Sequence, residues 1–579
     1  MANFTFDGIH ISSHTKNVLR EESLTPVHLG EVSYYRLHLV FDTPVSPTEY
    51  VLHWREARVD VAGFWCATSD QLHISPDWGR RTAVSRTASG MPLASTFATG
   101  GNNRLCIAHS DPATPTKLCI GAREEDCTLD ICLHFFTALT QEMTEYDVLI
   151  RVDRRRDIPF YTSLTQVRDW WRELGHTEAY VPDSARLPMY STWYSYHQQL
   201  SAEELLGECR LAKPLGMDTI IIDDGWQTDD NNRGYAYCGD WQVAERKMGN
   251  MRALVDGIHQ IGMKVMLWYS IPFVGEKSAM YPRFVGKYLN YHQHLGAYSL
   301  DPRFPEVREF LVGTYLAALR DFDLDGFKLD FVDAMGLSET SPTNYDEMDC
   351  RSLEEGVRRL LQETHQRLSA EKPDILIEFR QSYVGPIVST AGNMFRVGDC
   401  PMDLIHHRSR VLDLRWTSGS TAVHSDMIIW HEEDTVEAAA HQLWGTLFGV
   451  PQISVRLGEM REEHKALVKH YLAFWRAHRA TILDGSLDVS APEAWYAMAT
   501  AKGKDERITV LYQAVPVEHH EPIAHYVVNV TGKDGVYADL AHDVSYEILS
   551  SVGTPLAQGS LKAGIHKLPV PDAGMVVFH

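Results

Sequence analysis

The chain has little that would carry it into or across a membrane. No uninterrupted apolar stretch is long enough to span a bilayer, and the opening string Met1-Ala2-Asn3-Phe4-Thr5-Phe6-Asp7 lacks the basic and apolar regions of a secretory leader. The expected compartment is the cytoplasm. Positive charge is also in deficit: 54 basic residues stand against 77 acidic ones, a net charge of −23 spread along the sequence. That balance excludes nucleic acid and anionic membranes as expected partners. Nine cysteines at irregular positions form no disulfide framework and no Cys-x-x-Cys pair, so reduced thiols are expected. No Gly-x-Gly-x-x-Gly follows an apolar run, which removes the usual dinucleotide site. His424-Ser425-Asp426 and His431-Glu432-Glu433 match no zinc spacing such as His-Glu-x-x-His. Neither a cofactor nor a catalytic metal is expected.

What is present describes an ordinary folded chain of 579 residues, 44% apolar and 23% charged, long enough for several domains. Up to residue 184, short β-branched and aromatic runs such as Ser33 to Phe41 and Tyr50 to Arg55 are broken by turn residues, which predicts a β-sandwich. From 185 to 482 apolar runs alternate with amphipathic helices. Ser201 with Glu204, and Ser352 with Glu355, read as capping boxes opening two of those helices. Eight candidate strands follow one another: Tyr190 to Tyr196, Thr219 to Asp223, Lys264 to Tyr269, Gly326 to Phe331, Ile375 to Arg380, Met394 to Gly398, Ala422 to Ile429 and Gln452 to Val455. Eight βα units over this length predict a (β/α)8 barrel. From 483 to 579 strand-like segments return and predict a C-terminal β-domain.

A barrel of this kind builds its site at the C-terminal ends of its strands. The residues closing the apolar runs are Trp193 and Tyr194; Asp223, Asp224 and Trp226; Trp268; Lys328 and Asp330; Arg380; Arg396 and Asp399; then His424 and Asp426. A single strand-end acid is as well explained by helix capping. Four of them beside tryptophans describe a saccharide pocket, since indole faces stack on sugar rings and carboxylates accept from hydroxyls. Two opposed carboxyl groups, Asp330 and Asp399, are what glycosidic hydrolysis requires.

The strings Trp193-Tyr194-Ser195-Tyr196, Ile222-Asp223-Asp224-Gly225-Trp226, Gly239-Asp240-Trp241, Phe327-Lys328-Leu329-Asp330-Phe331 and Phe395-Arg396-Val397-Gly398-Asp399 resemble, in this order, the α-galactosidase clan, with glycoside hydrolase family 36 the nearest match. The likeness covers about residues 185 to 460. It implies a retaining exo-α-glycosidase with Asp330 as nucleophile and Asp399 as acid/base, protonated near neutrality, with Asp403 as the alternative for that second role. It further implies that Asp223 and Asp224 meet the 4- and 6-hydroxyls, that Trp226, Trp241 and Trp268 form walls, and that Lys328 supports the nucleophile and holds a hydroxyl. The implied partner is a small saccharide or glycoside, and a homo-oligomer is the favoured assembly. The chain departs from the pattern at Glu378-Phe379-Arg380-Gln381-Ser382, where galactosidases of this family commonly place Cys and Gly against the sugar 2-position. Arg380 either folds back onto a carboxylate or reads a different substituent. Three other readings therefore stay open beside α-galactosyl hydrolysis: another sugar preference (α-N-acetylgalactosaminidase or α-glucosidase-like), a raffinose-synthase-type transglycosylase, and a non-catalytic carbohydrate-binding protein.

Overall fold

A computed structural model describes residues 2–6, 8–68 and 72–579. Met1 and Asp7 of the N-terminal string lie outside the described residues. The first part of the chain forms two antiparallel sheets, of seven and six strands. They face each other across a core that includes Leu37, Leu39, Phe64, Ile107, Ile131 and Val148. The alternation in the strand Val32–Val45, where Leu37 and Leu39 are buried and Arg36 is exposed, is the period-2 pattern of a sheet with one face covered.

The centre is a closed barrel of eight parallel strands: Met189–Ser191, Thr219–Ile222, Lys264–Ser270, Gly326–Asp330, Leu376–Arg380, Met394–Arg396, Ala422–Ile428 and Val450–Ile453. The last strand pairs with the first through Met189 and Gln452, so no edge remains. All eight expected strands are found, with ends moved by a few residues.

Two local expectations fail. The first strand stops at Ser191, and Trp193–Tyr196 is instead one helical turn, closed by the Tyr196 N–H donating to the Thr192 carbonyl. The aromatic residues favour a strand, but tertiary context overrides so weak a preference. Ser201 precedes the helix Ala202–Leu215 yet makes no side-chain cap bond. Ser352 does cap Leu353–Glu371, its hydroxyl accepting from the Glu355 N–H.

Side-chain direction along these strands sets up the site. Met189, Ile221, Met266, Leu376, Met394 and Ala422 fill one end of the barrel with an apolar layer. Two residues further along a strand the same face is met again: Met394 is followed by Arg396, Leu376 by Glu378 and Ala422 by His424. The interior therefore changes from hydrocarbon to charge towards the C-terminal mouth.

After the helices Glu462–Ala477 and Arg479–Asp484, the chain ends in a seven-stranded and a three-stranded sheet. One buried residue ties the three parts together. Asp413, on the helix Leu404–Thr417 that packs on the barrel, accepts from the Trp65 indole of the sandwich at 2.9 Å and from the Tyr496 hydroxyl of the C-terminal part at 3.0 Å. Among the described residues no helix is long and apolar enough to cross a membrane.

Candidate active site

Asp330 ends the fourth barrel strand and is buried. Its two oxygens have unequal surroundings. Oδ1 accepts from Arg380 Nε at 2.7 Å, the Tyr383 hydroxyl at 2.9 Å and the Phe331 N–H at 2.8 Å. Among the described residues, Oδ2 accepts only from the Trp268 indole, at 3.2 Å. Burial would push this carboxyl up, but the charges of Arg380, Lys328 and Arg396 outweigh it and hold Asp330 well below the usual carboxylate range.

Arg380 thus takes the first of its two open conformations. It folds back onto Asp330, and its Nη1 lies 3.3 Å from Asp333 as well. Lys328 lies on the same face as Asp330 but points at Asp223, whose Oδ2 accepts from its ammonium at 2.6 Å. Burial lowers the lysine, but the charges of Asp223, Asp330 and Glu378 together outweigh it, so Lys328 stays protonated and supports Asp330 through space.

Asp223 and Asp224 leave the second strand in a turn that needs Gly225. Its φ is +115°, and a Cβ there would stand 2.5 Å from the Gln198 backbone. Asp223 Oδ1 accepts from the Asp224 N–H at 2.9 Å. The two Asp224 oxygens accept from Gln198 at 2.7 Å and Gln227 at 2.6 Å. Each of these oxygens keeps a lone pair for a further donor. Burial raises the Asp224 carboxyl to about 7.

The tryptophans divide. Trp268 lies face to face with Tyr235, ring centres 5.7 Å apart, and reaches Asp330 with its indole N–H. Trp226 is fully buried; its N–H goes to the Trp268 carbonyl at 2.9 Å and its ring stacks on Trp241 at 6.2 Å. It is a backing layer behind the pocket, not an exposed wall. Trp241 is nearly as buried, and Trp193 is half-buried against His197.

Asp399 follows the sixth strand and keeps 51% of its side chain exposed. Arg396 Nη1 holds it at 2.9 Å and also pairs with Asp426, whose Oδ2 accepts from the Tyr194 hydroxyl at 2.8 Å and the Cys400 N–H at 2.7 Å. The expectation that Asp399 stands protonated by itself is not met. Burial raises it, yet Arg396 and Lys328 bring it below its ordinary value. Asp426 moves the other way, raised by burial and by the Asp399 charge beyond what Arg396 offsets. Two carboxylates on one guanidinium nitrogen titrate as a pair. Asp403 has a different occupation: its Oδ1 accepts from the Ile405 and His406 N–H groups at the start of Leu404–Thr417. It is a helix cap.

Gln198, Gln227, Tyr235 and Tyr383 were not singled out in the sequence. They lie on loops or short turns, where no apolar run marks a strand end. His424 Nδ1 accepts from the Gln452 amide and its Nε2 donates to the Ala185 carbonyl, inside the barrel and away from the mouth.

Residues 169–385 match the family model described as Melibiase. That match covers less than half of the chain. The match takes in Asp223, Asp224, Lys328, Asp330 and Arg380 and ends before Asp399. A bifunctional α-galactosidase/sucrose kinase, AgaSK, from Mediterraneibacter gnavus is 31% identical over 97 residues, 16% of this chain and 10% of that protein. The sequence match thus spans about a tenth of that curated relative's length. The solved galactosidase domain of AgaSK covers 95% of this chain and 78% of its own, with a TM-score of 0.65 at 14% identity. AgaA from Geobacillus stearothermophilus, solved as a variant with raffinose, covers 98% of this chain and 86% of its own, with a TM-score of 0.61 at 15% identity. At these identities the structural likeness is one of fold: the barrel, the sheets before it and the sheets after it.

Proposed function

We propose that the chain hydrolyses terminal α-galactosyl residues with retention, through a glycosyl intermediate on Asp330. The observation that supports this best is the asymmetry of the Asp330 carboxylate. Three donors fix Oδ1, while Oδ2 keeps a lone pair beside Trp268. Oδ2 is therefore the attacking atom. It forms a bond to the anomeric carbon as the glycosidic C–O bond breaks, and the leaving oxygen takes a proton from Asp399. In the second step Asp399 removes a proton from water, the water oxygen bonds to the anomeric carbon, and the bond to Asp330 breaks. Asp399 has to take up a proton before the first step, and the Asp426 charge beside it on Arg396 favours that uptake.

Asp223, Asp224 and Lys328 supply acceptors and a cation beside Asp330, a set suited to the 4- and 6-hydroxyls of galactose. Within this reading residues 1–184 and 483–579 flank the catalytic segment 185–482. Specificity constants on a panel of aryl α-glycosides test the proposal. The α-galactoside is expected among the best substrates, and Asp330→Ala, folded, is expected inactive. A preferred glucoside or N-acetylgalactosaminide, or an active Asp330→Ala, would overturn it.

A further inference from the structure

The outer face of the seven-stranded sheet carries a second group of reactive side chains. In the strands Thr116–Arg123 and Thr128–Phe135, Leu118, Ile120, Ile131 and Leu133 point into the sandwich core, so the alternate residues Cys119, Cys132 and His134 face outward. The antiparallel register sets Cys119 directly opposite Cys132, with Thr82 beyond the first and His53 beyond the second. The Cα atoms of such a pair lie about 4.5–5.5 Å apart, inside the span that a disulfide bridges.

The two thiols are not equivalent. Seven of the nine cysteines are buried, Cys132 among them, whereas Cys119 is partly exposed and Cys127 is exposed. The Thr82 hydroxyl lies 3.4 Å from the Cys119 sulfur. His134 is oriented by Glu49, whose Oε1 stands 3.1 Å from its Nδ1, and hydrogen bonding to the Cys119 and Cys132 sulfurs pushes its imidazole up to about 10. Burial would raise the Cys119 thiol, but donation from His134 and Thr82 and the charge of Arg80 bring it below its ordinary value. A sulfur nucleophile, an imidazole that holds its proton and a carboxylate that orients the imidazole thus stand in series. Behind Cys132, ligand atoms of His53 and Asp130 lie within 4.8 Å of its sulfur and of each other. That trio is ill suited to a metal ion, because Asp130 already accepts from Arg55 at 3.2 Å and from Arg80.

We propose that Cys119 and Cys132 form a dithiol site that exchanges with a low-molecular-weight disulfide. The Cys119 thiolate attacks one sulfur of the incoming disulfide, its S–S bond breaks, and the departing thiolate takes the proton held by His134. Cys132 then passes its proton to His134 and attacks the Cys119 sulfur of the mixed disulfide; the second thiolate leaves with that proton. One Cys119–Cys132 bond forms, two small thiols are released, and two electrons pass from the protein to the reagent. The partly exposed thiol meets the reagent, and the buried one has only to reach its neighbour.

Oxidised glutathione, added to the fully reduced chain at neutral pH, is the probe, and mass mapping of quenched samples is the readout. The wild type is expected to lose two hydrogens and to yield a 119–132 link, with Cys119 reacting about tenfold faster than the exposed Cys127 of the same molecule. Cys132→Ser is expected to stop at a glutathione adduct on Cys119. His134→Gln should slow capture at Cys119 by about tenfold at neutral pH and regain the rate as pH rises into the ordinary thiol range, with Cys127 unaffected. Besides His134, the titratable groups around the pair are Glu49, His53 and Asp130, and Arg55, Arg80 and Lys117 are its fixed charges. Equal rates at Cys119 and Cys127, a lasting adduct on the wild type without the link, or an unchanged rate in folded His134→Gln would overturn the site. If His134→Gln does not fold, the wild-type ratio of Cys119 to Cys127 and the Cys132→Ser adduct decide it.

Discussion

Arg380→Gln tests the electrostatics of the candidate nucleophile directly. The arginine bonds Asp330 Oδ1 at 2.7 Å in a buried setting, and its Nη1 is also close to Asp333. An adjacent arginine lowers a carboxyl by about 1–3 pKa units, which corresponds to about 1.4–4 kcal/mol. Lys328, Arg396 and the Tyr383 hydroxyl remain in the variant, so part of the depression survives. Asp333, already raised by burial and by the Asp330 charge, would then face Asp330 with no cation between them. That repulsion adds to the loss.

The sign follows from which form is depressed. The folded Asp330 carboxyl lies below its unfolded value, so its ionisation stabilises the fold above the ordinary carboxylate range, and this contribution is lost as pH falls through the folded value. In the proposed mechanism the same ionisation is needed for attack. In Arg380→Gln the acidic limb of the kcat/KM profile on an aryl α-galactoside should therefore move to higher pH by about one to three units. The melting temperature at neutral pH should fall as well. A folded variant whose acidic limb stays where the wild type has it would refute the claim that Arg380 keeps Asp330 ionised.

Other outcomes follow from the same geometry. Asp399→Ala should cut turnover of a substrate with a poor leaving group by about 10²–10⁴ and spare one with an activated leaving group, as loss of a general acid does. Asp403→Ala should leave kcat unchanged and cost about 0.5–2 kcal/mol of stability from the lost cap, measured by denaturant unfolding; a large kcat loss there would reverse the two assignments. Asp224, raised to about 7 in the folded chain, binds a proton that the unfolded chain has released. Wild-type stability should therefore decline as pH rises from the ordinary carboxylate range to about 7 and level off above it, and Asp224→Asn should flatten that decline in a pH series of melting curves.

The barrel was legible because each of its strands is buried on both faces, which leaves a short apolar run in the sequence wherever a strand occurs. Asp223, Asp330 and Asp399 were legible for the same reason, as polar residues closing those runs. Tyr383 and Gln198 were not. They reach Asp330 and Asp224 from segments 53 and 26 residues away in the chain, and nothing in their own neighbourhood marks that meeting. The tryptophans were overread: an indole near a strand end has the same local pattern whether it faces a ligand or, like Trp226, the layer behind it. The protonation expected of Asp399 took no account of Arg396, read in the sequence as a strand-end residue of the pocket, which is the shared cation of Asp399 and Asp426.

The junction at Asp413 limits how far this molecule can be treated as modular. Its carboxylate is buried and raised by that burial, and its two neutral donors arrive from opposite ends of the chain. Deleting either flank would leave an under-solvated acid inside the remaining body, a defect of about 1–3 kcal/mol per missing donor. The flanking β-domains thus act as folding partners of the barrel, so that melting should proceed as one transition and neither flank can be exchanged for a foreign sandwich without supplying a donor in its place.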